Sequence, residues 1–475
     1  MLFPTIDFAL FFLVVFGVGW SLSGRPVWWK LAMLGFSYFF YAWWDPRFVL
    51  LLVLETLIAH VGARRIFATD DPVRAKRWMW LSVGGLLAIL GYFKYAGFFA
   101  VNLDNLLRGI GLGNLIPLVQ PTLPIAISFF TFMAISYVVD VYRRQLDPAA
   151  PIDLAVYLAF FPHLVAGPIV RGSELLPQLK RRRDPNRVDY SRAAVLIIQG
   201  LFKKVVISSF IASAIVDPVF QSPSSHSALD VLVGVWGYAI QIYCDFSGYT
   251  DIAIGLAMLL GISFPVNFDA PYSAATLQDF WRRWHITLSR WLRDYLYIPL
   301  GGNRGSEAEV ARNIMLTMIL GGLWHGAAWT FLAWGFLHGA GQVVGHVRRE
   351  RRAAAGLPPL VPSRLHHVGQ VVFTFQFVCL AWIFFRATSF TNAFAVIGRI
   401  FTGWGAASNL VTPLVVLTIV AVLLVQQVPT SIGERVAAAW SNLHLAVQAI
   451  LLALVLLAIT TLGPTGVAPF IYYRF

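Results

Sequence analysis

The sequence predicts an all-α, polytopic membrane protein, and three observations carry that prediction. Of its 475 residues, 58% are apolar and only 12% charged, and the mean hydropathy is +0.69. Its apolar runs approach the ~20 residues that a helix needs to cross a bilayer. Basic residues gather in alternate links between those runs, as they do in cytoplasmic loops. The net charge of +13 is therefore read as loop charge that meets anionic membrane lipid, and no nucleic-acid partner is expected. Cys244 and Cys379 lie in apolar sequence without C-x-x-C spacing, so neither a disulfide framework nor a metal site is expected.

Taken in order, runs near 5–22, 31–43 and 47–63 are separated by Arg25 and Lys30, then by Asp45-Pro46-Arg47, and are followed by Arg64 and Arg65. The first run has the apolar core of a signal peptide. The sequence leads straight from it into the next span, so it is read as a retained helix with an outside N-terminus. Runs near 78–100 and 123–142 end at Arg143-Arg144, an inner link. Residues 151–170 are apolar but broken by Pro162, His163, Gly167 and Pro168, and basic sequence at 171–187 follows. With basic sequence on both sides, this run is expected to dip in and return, covered by protein where it is not helical.

Crossings near 193–217 and 229–262 come next, the first with Lys203 and Lys204 inside it and the second with Asp245. The lysines either snorkel to the interface or line a site for an anionic substrate. Asp245 has three readings: a pair with an arginine, a cap at a break near Gly248, or a carboxylate that orients a histidine. Between 281 and 295, Trp281, Trp284, Leu288, Trp291 and Tyr295 recur at steps of three and four, opposite Arg282, Arg283, Arg290, Arg293 and Asp294. This pattern predicts one amphipathic interfacial helix on the cytoplasmic side, with His285 at the edge of its apolar stripe.

The run 313–347 has basic residues at both ends, which predicts a helical hairpin or broken helix entering from inside. His325 falls near its deepest point, among Gly321, Gly322 and Gly326. Three further spans, near 366–387, 409–428 and 443–462, complete about ten crossings, and an apolar tail at 463–475 ends outside.

An ionisable side chain at membrane depth marks a function by default. His325 has no acidic residue within several positions. A desolvated, neutral imidazole accepts a hydroxyl proton, so His325 is the candidate general base, with packing against a carbonyl as the plain alternative. His285 is read as structural or functional with equal weight, and His163 and His338 as structural. No repeat of fixed period is visible, which weighs against a transporter.

Five stretches in this order then resemble the membrane-bound O-acyltransferases, of the bacterial alginate O-acetylase type, over essentially the whole chain. They are Leu123-Pro124-Ile125-Ala126-Ile127-Ser128-Phe129-Phe130-Thr131-Phe132, Phe161-Pro162-His163-Leu164-Val165-Ala166-Gly167-Pro168-Ile169, Tyr243-Cys244-Asp245-Phe246-Ser247-Gly248-Tyr249, Asp279-Phe280-Trp281-Arg282-Arg283-Trp284-His285 and Leu323-Trp324-His325-Gly326. The resemblance implies a single domain over 1–475: spans at 1–144, a catalytic core at 145–350 around a central tunnel, spans at 351–462 and a tail motif at 463–475. It implies that His325 is the essential histidine, with His285 its partner and a candidate oxyanion donor. Asp245, Arg282, Arg283, Trp324, Lys203 and Lys204 are then expected on the substrate side.

It further implies an inner-membrane enzyme with both termini periplasmic. No cofactor is tightly bound; acetyl-CoA is the donor, and a periplasmic SGNH-type or similar acetyltransferase is the partner that acetylates a polysaccharide such as alginate. The tail Phe470-Ile471-Tyr472-Tyr473-Arg474-Phe475 is similar to a family motif whose tyrosine holds the acyl group, which carries over to Tyr472. Tyr473 and Arg474 stand where Phe and Gln are commoner, so Tyr473 competes for the role. Transfer of D-alanine from a carrier protein and transport of a polysaccharide or lipid are the alternative functions.

Overall fold

The computed structural model describes residues 1–112, 121–165, 167–358, 362–428, 435 and 438–462. Regular structure among them is entirely helical. The tail motif with Tyr472 and Tyr473 lies outside the described residues. The chain divides into two compact units, Met1–Ala193 with Ala253–Pro265, and Ala194–Ile252 with Val266–Phe475.

The first unit is built on the helices Ile6–Ser21, Pro26–Ala42, Arg47–Phe67, Pro72–Gly109 and Ile127–Tyr142. Their starts are written locally. The Thr5 hydroxyl accepts from the Phe8 N–H, and the Asp71 carboxylate accepts from Val73 and Arg74 N–H ahead of Pro72 at the first helical position, each satisfying donors that a helix start leaves open. The broken run predicted at 151–170 is two short helices, Pro151–Ala159 and Phe161–Leu164, parted at Phe160. Two buried carboxylates here have partners: Lys30 pairs with Asp153 at 2.5 Å, and the Thr131 hydroxyl donates to Glu55 at 2.9 Å.

In the second unit the helix Tyr190–Gln221 contains two π turns, Phe202–Ser208 and Ala212–Val216. It packs against the helix Ala228–Leu259 at a pair of glycines. A Cβ on Gly200 would stand 2.5 Å from the Gly248 carbonyl oxygen, and one on Gly248 would stand 2.8 Å from that of Gly200. Only glycine lets the two backbones come this close. At the start of Ala228–Leu259, buried Asp230 accepts from the hydroxyls of Ser227 at 2.8 Å and Ser408 at 2.7 Å and from the Leu410 N–H at 3.0 Å. It thereby ties the 408–410 segment to the helix. The helices Arg364–Arg386, Phe390–Thr402, Pro413–Val425 and Leu445–Leu462 follow. Phe390–Thr402 is an element the hydropathy runs did not announce, because its apolar residues occupy one face only.

Among the described residues, Pro72–Gly109, Tyr190–Gln221 and Arg364–Arg386 are long and apolar enough to cross a bilayer. Others wear an apolar exterior. Leu414, Leu417, Val420 and Leu424 of Pro413–Val425 are all exposed, a stripe at helical spacing that hydrocarbon accepts and water does not.

Candidate active site

The single amphipathic helix expected over 281–295 is two helices, Leu277–Arg283 and Ile286–Leu292. They are parted at Trp284 and His285, where His285 adopts the left-handed conformation at φ +42°, ψ +56°. This corrects the placing of His285 on the edge of a stripe: the break turns its side chain inward and the residue is completely buried. A non-glycine residue held in that region costs about 1–3 kcal/mol and persists only where its surroundings dictate it.

Those surroundings are specific. The segment before the helices runs alongside the break, the Ile286 N–H donating to the Asn267 carbonyl at 2.9 Å and the Asp269 N–H to the Arg283 carbonyl at 2.9 Å. The Asn267 side-chain oxygen lies 3.2 Å from His285 Nδ1, and it accepts from the Thr287 N–H at 3.1 Å and the Thr287 hydroxyl at 2.8 Å. Phe246, Phe268 and Trp324 enclose the ring, with centroids 4.7, 6.4 and 6.1 Å away. This apolar burial holds the His285 pKa down at about 3.

The run predicted to enter and return is a hairpin of the helices Glu307–His325 and Trp329–Ala354. Ser306 and Glu309 form a capping box at its start. The helices meet backbone to backbone. A Cβ on Gly322 would stand 2.3 Å from the Phe331 carbonyl oxygen, and one on Gly335 would stand 2.4 Å from that of Met318. His325 is the last residue of the first helix, 2% exposed. Trp324, Trp334 and Phe385 stand around its ring at 5.0, 5.0 and 5.2 Å, each edge-on. Trp324 thus packs against both His285 and His325, so the two histidines share one aromatic wall.

Behind that wall, Trp281 Nε1–H donates to His338 Nδ1 at 3.3 Å, a packing role for His338. On its other side Trp281 lines a cavity of about 730 Å³ with Arg282, Arg290, Arg293, Tyr297 and Arg349. The expected arginine pair divides here. Arg282 lines the cavity, whereas Arg283 pairs with Asp279 at 2.9 Å and is not among the lining residues.

The remaining expected residues form their own cluster. Lys203 pairs with Asp251 at 2.8 Å, and Lys204 pairs with Asp245, both partners buried. The lysines therefore join Tyr190–Gln221 to Ala228–Leu259 through carboxylates. The partner of Asp245 is thus a lysine, where the sequence pointed to an arginine, a helix-break cap or a histidine. Asn267, Asp251 and Trp334 were not singled out in the sequence. Asp251 had a signal: two lysines in one apolar segment require two counter-charges, and Asp245 supplies one.

A helical membrane scaffold that sets histidine at the tip of a glycine-packed hairpin, linked through Trp334 and Trp281 to an arginine-lined cavity, has the parts of an acyl-transferring membrane enzyme. Residues 114–390 match the membrane-bound O-acyltransferase family, and the chain belongs to that family. It is accordingly a multi-pass membrane protein and an O-acyltransferase. It is 41% identical over 408 residues to the probable alginate O-acetylase AlgI of Pseudomonas aeruginosa, covering 85% of this chain and 75% of that one. It is 36% identical over 431 residues to the peptidoglycan O-acetyltransferase of Helicobacter pylori, covering 84% and 79%. Similarity to the teichoic acid D-alanyltransferase of Streptococcus thermophilus is lower, 28% over 284 residues, covering 55% and 68%.

Proposed function

We propose that this protein transfers acetyl groups from cytosolic acetyl-CoA across the inner membrane for O-acetylation of an extracytoplasmic polysaccharide. The observation that carries the reading is the arginine-lined cavity whose wall residue Trp281 packs on Trp334, which in turn packs on His325. Arg282, Arg290 and Arg349 supply charge for phosphate, and a concave site of this volume suits a small nucleotide-headed donor. The balance of likeness supports acetyl over D-alanyl, since relatives named for O-acetylation match 84–85% of the chain and those named for D-alanyl transfer match 55–56%.

In this reading His325 is the base. It takes the proton of Tyr472 Oη as that oxygen attacks the thioester carbonyl; the C–S bond breaks and the CoA thiolate receives the proton. A hydroxyl of a periplasmic transferase then attacks the tyrosyl ester, releasing Tyr472 and carrying the acetyl group onward to a polymer such as alginate. Trp324 packs between the two histidines, and the Lys203–Asp251 and Lys204–Asp245 pairs act at one remove by fixing helices. Arg283 holds the interfacial turn through Asp279. The topology is about ten crossings with the hairpin entering from the cytoplasm, a central tunnel, and both termini periplasmic.

The test is transfer from radiolabelled acetyl-CoA in membranes carrying wild-type protein, His325→Ala or Tyr472→Phe at matched levels. Loss of label from both variants is expected. Undiminished transfer in His325→Ala removes the base assignment, and undiminished transfer in Tyr472→Phe removes the relay while leaving the base.

A further inference from the structure

We infer that Asn267 is a positioning residue that fixes the tautomer of His285, so that His285 presents Nε2 as a hydrogen-bond acceptor. The inference rests on the acyl-transfer reading for its consequence and on hydrogen-bond geometry for its content.

The identity of the Asn267 atom is settled by its neighbour. The Thr287 backbone N–H can only donate, and it points at the Asn267 side chain from 3.1 Å. The receiving atom is therefore the carbonyl oxygen of the amide, not its nitrogen. A carbonyl oxygen can only accept, so His285 Nδ1, 3.2 Å away, must carry the proton. In a neutral imidazole one nitrogen donates and the other accepts, which leaves the lone pair on Nε2. Phe246, Phe268 and Trp324 pack around the ring, and this apolar burial favours the neutral imidazole.

The consequence reverses one role open to His285. A neutral histidine protonated at Nδ1 does not donate from Nε2, so it is unfit to stabilise an oxyanion there. It can receive a hydrogen bond from a hydroxyl and orient it. The left-handed backbone of His285 serves the same end, since it brings the ring back over Asn267, whose own carbonyl receives the Ile286 N–H. Asn267 also caps the helix Ile286–Leu292, so a purely structural role is the competing account, and the test must separate the two.

Two measurements do so on the full-length protein in detergent. Nitrogen-15 spectra of histidine-labelled protein, with the His285 signals assigned by difference against His285→Gln, report which ring nitrogen is protonated. Protonation at Nδ1 is expected in the wild type, and protonation at Nε2 overturns the inference whether or not the protein transfers acetyl groups. Rate–pH profiles of Asn267→Asp and Asn267→Ala give the second. The carboxylate keeps an acceptor for Nδ1–H and adds a charge that favours the imidazolium. Asn267→Asp is therefore expected to retain the tautomer, with its acidic limb moved to higher pH. Asn267→Ala is expected to lose at least tenfold in kcat with little change in KM. Identical pH profiles and parallel losses in both variants, tracking loss of thermal stability, would assign Asn267 to structure alone.

Discussion

Gly322→Ala tests whether the hairpin glycines set the position of His325. The added methyl would lie 2.3 Å from the Phe331 carbonyl oxygen and 3.3 Å from the Gly335 Cα. Ordinary van der Waals contact begins at 3.4 Å, so the shortfall is roughly 1 Å and the obstacle is backbone, which cannot rotate away. The helices Glu307–His325 and Trp329–Ala354 must part or slide by about that amount three residues from His325. Overpacking of this kind costs about 1–3 kcal/mol, and a displacement of 1 Å at a reacting group costs on the order of 100-fold in rate. The expected variant is thus folded, modestly less stable in thermal unfolding, and deeply impaired in transfer from labelled acetyl-CoA. Gly335→Ala, facing the Met318 carbonyl at 2.4 Å, should behave alike. Gly369→Ala is the control: nothing lies within 4 Å of its Cβ, and a helical alanine there should be neutral or stabilising by about 0.5–1 kcal/mol. Wild-type rate and stability in Gly322→Ala would refute the claim that this close approach positions the histidine.

Removing one member of the buried Lys204–Asp245 pair should destabilise by about 3–5 kcal/mol, whereas Lys204→Met combined with Asp245→Leu should recover most of that loss; thermal unfolding in detergent reads both, and an equal loss in single and double variants would count against the pair. Asp230→Ala leaves the Ser408 hydroxyl and Leu410 N–H without their shared acceptor, for an expected loss of about 1.5–3 kcal/mol, seen as earlier proteolysis near residues 408–410; an unchanged cleavage pattern contradicts it. Arg282→Gln and Arg290→Gln, both lining the cavity, should raise KM for acetyl-CoA roughly two- to fivefold with kcat retained, and the difference from wild type should shrink in high salt. A fall in kcat at unchanged KM would place these arginines elsewhere in the cycle.

The sequence disclosed what hydropathy and charge alternate along a chain, and it was silent where three-dimensional closeness replaces period. The hairpin at 313–347 was readable because basic residues at both ends of a run too long for one span and too short for two leave few other foldings, and the helices Glu307–His325 and Trp329–Ala354 follow that plan. The break at His285 was not readable from the same kind of pattern. Trp281, Trp284, Leu288 and Trp291 are buried as the stripe requires, so the periodicity was real. It continued through a residue whose backbone is left-handed, since steps of three and four record which side chains are buried and not whether the helix between them is continuous. What imposes the break is Asn267, eighteen residues earlier, through the Ile286 and Thr287 N–H groups. The lysines failed to declare themselves for a related reason. A buried charge announces that a counter-charge exists, but two carboxylates on the next helix offer two registers, and the one adopted, Lys203 with Asp251 and Lys204 with Asp245, is that in which Gly200 meets Gly248. The residues that place the two histidines are thus the hairpin glycines Gly322 and Gly335 and, for His285, an asparagine eighteen residues earlier.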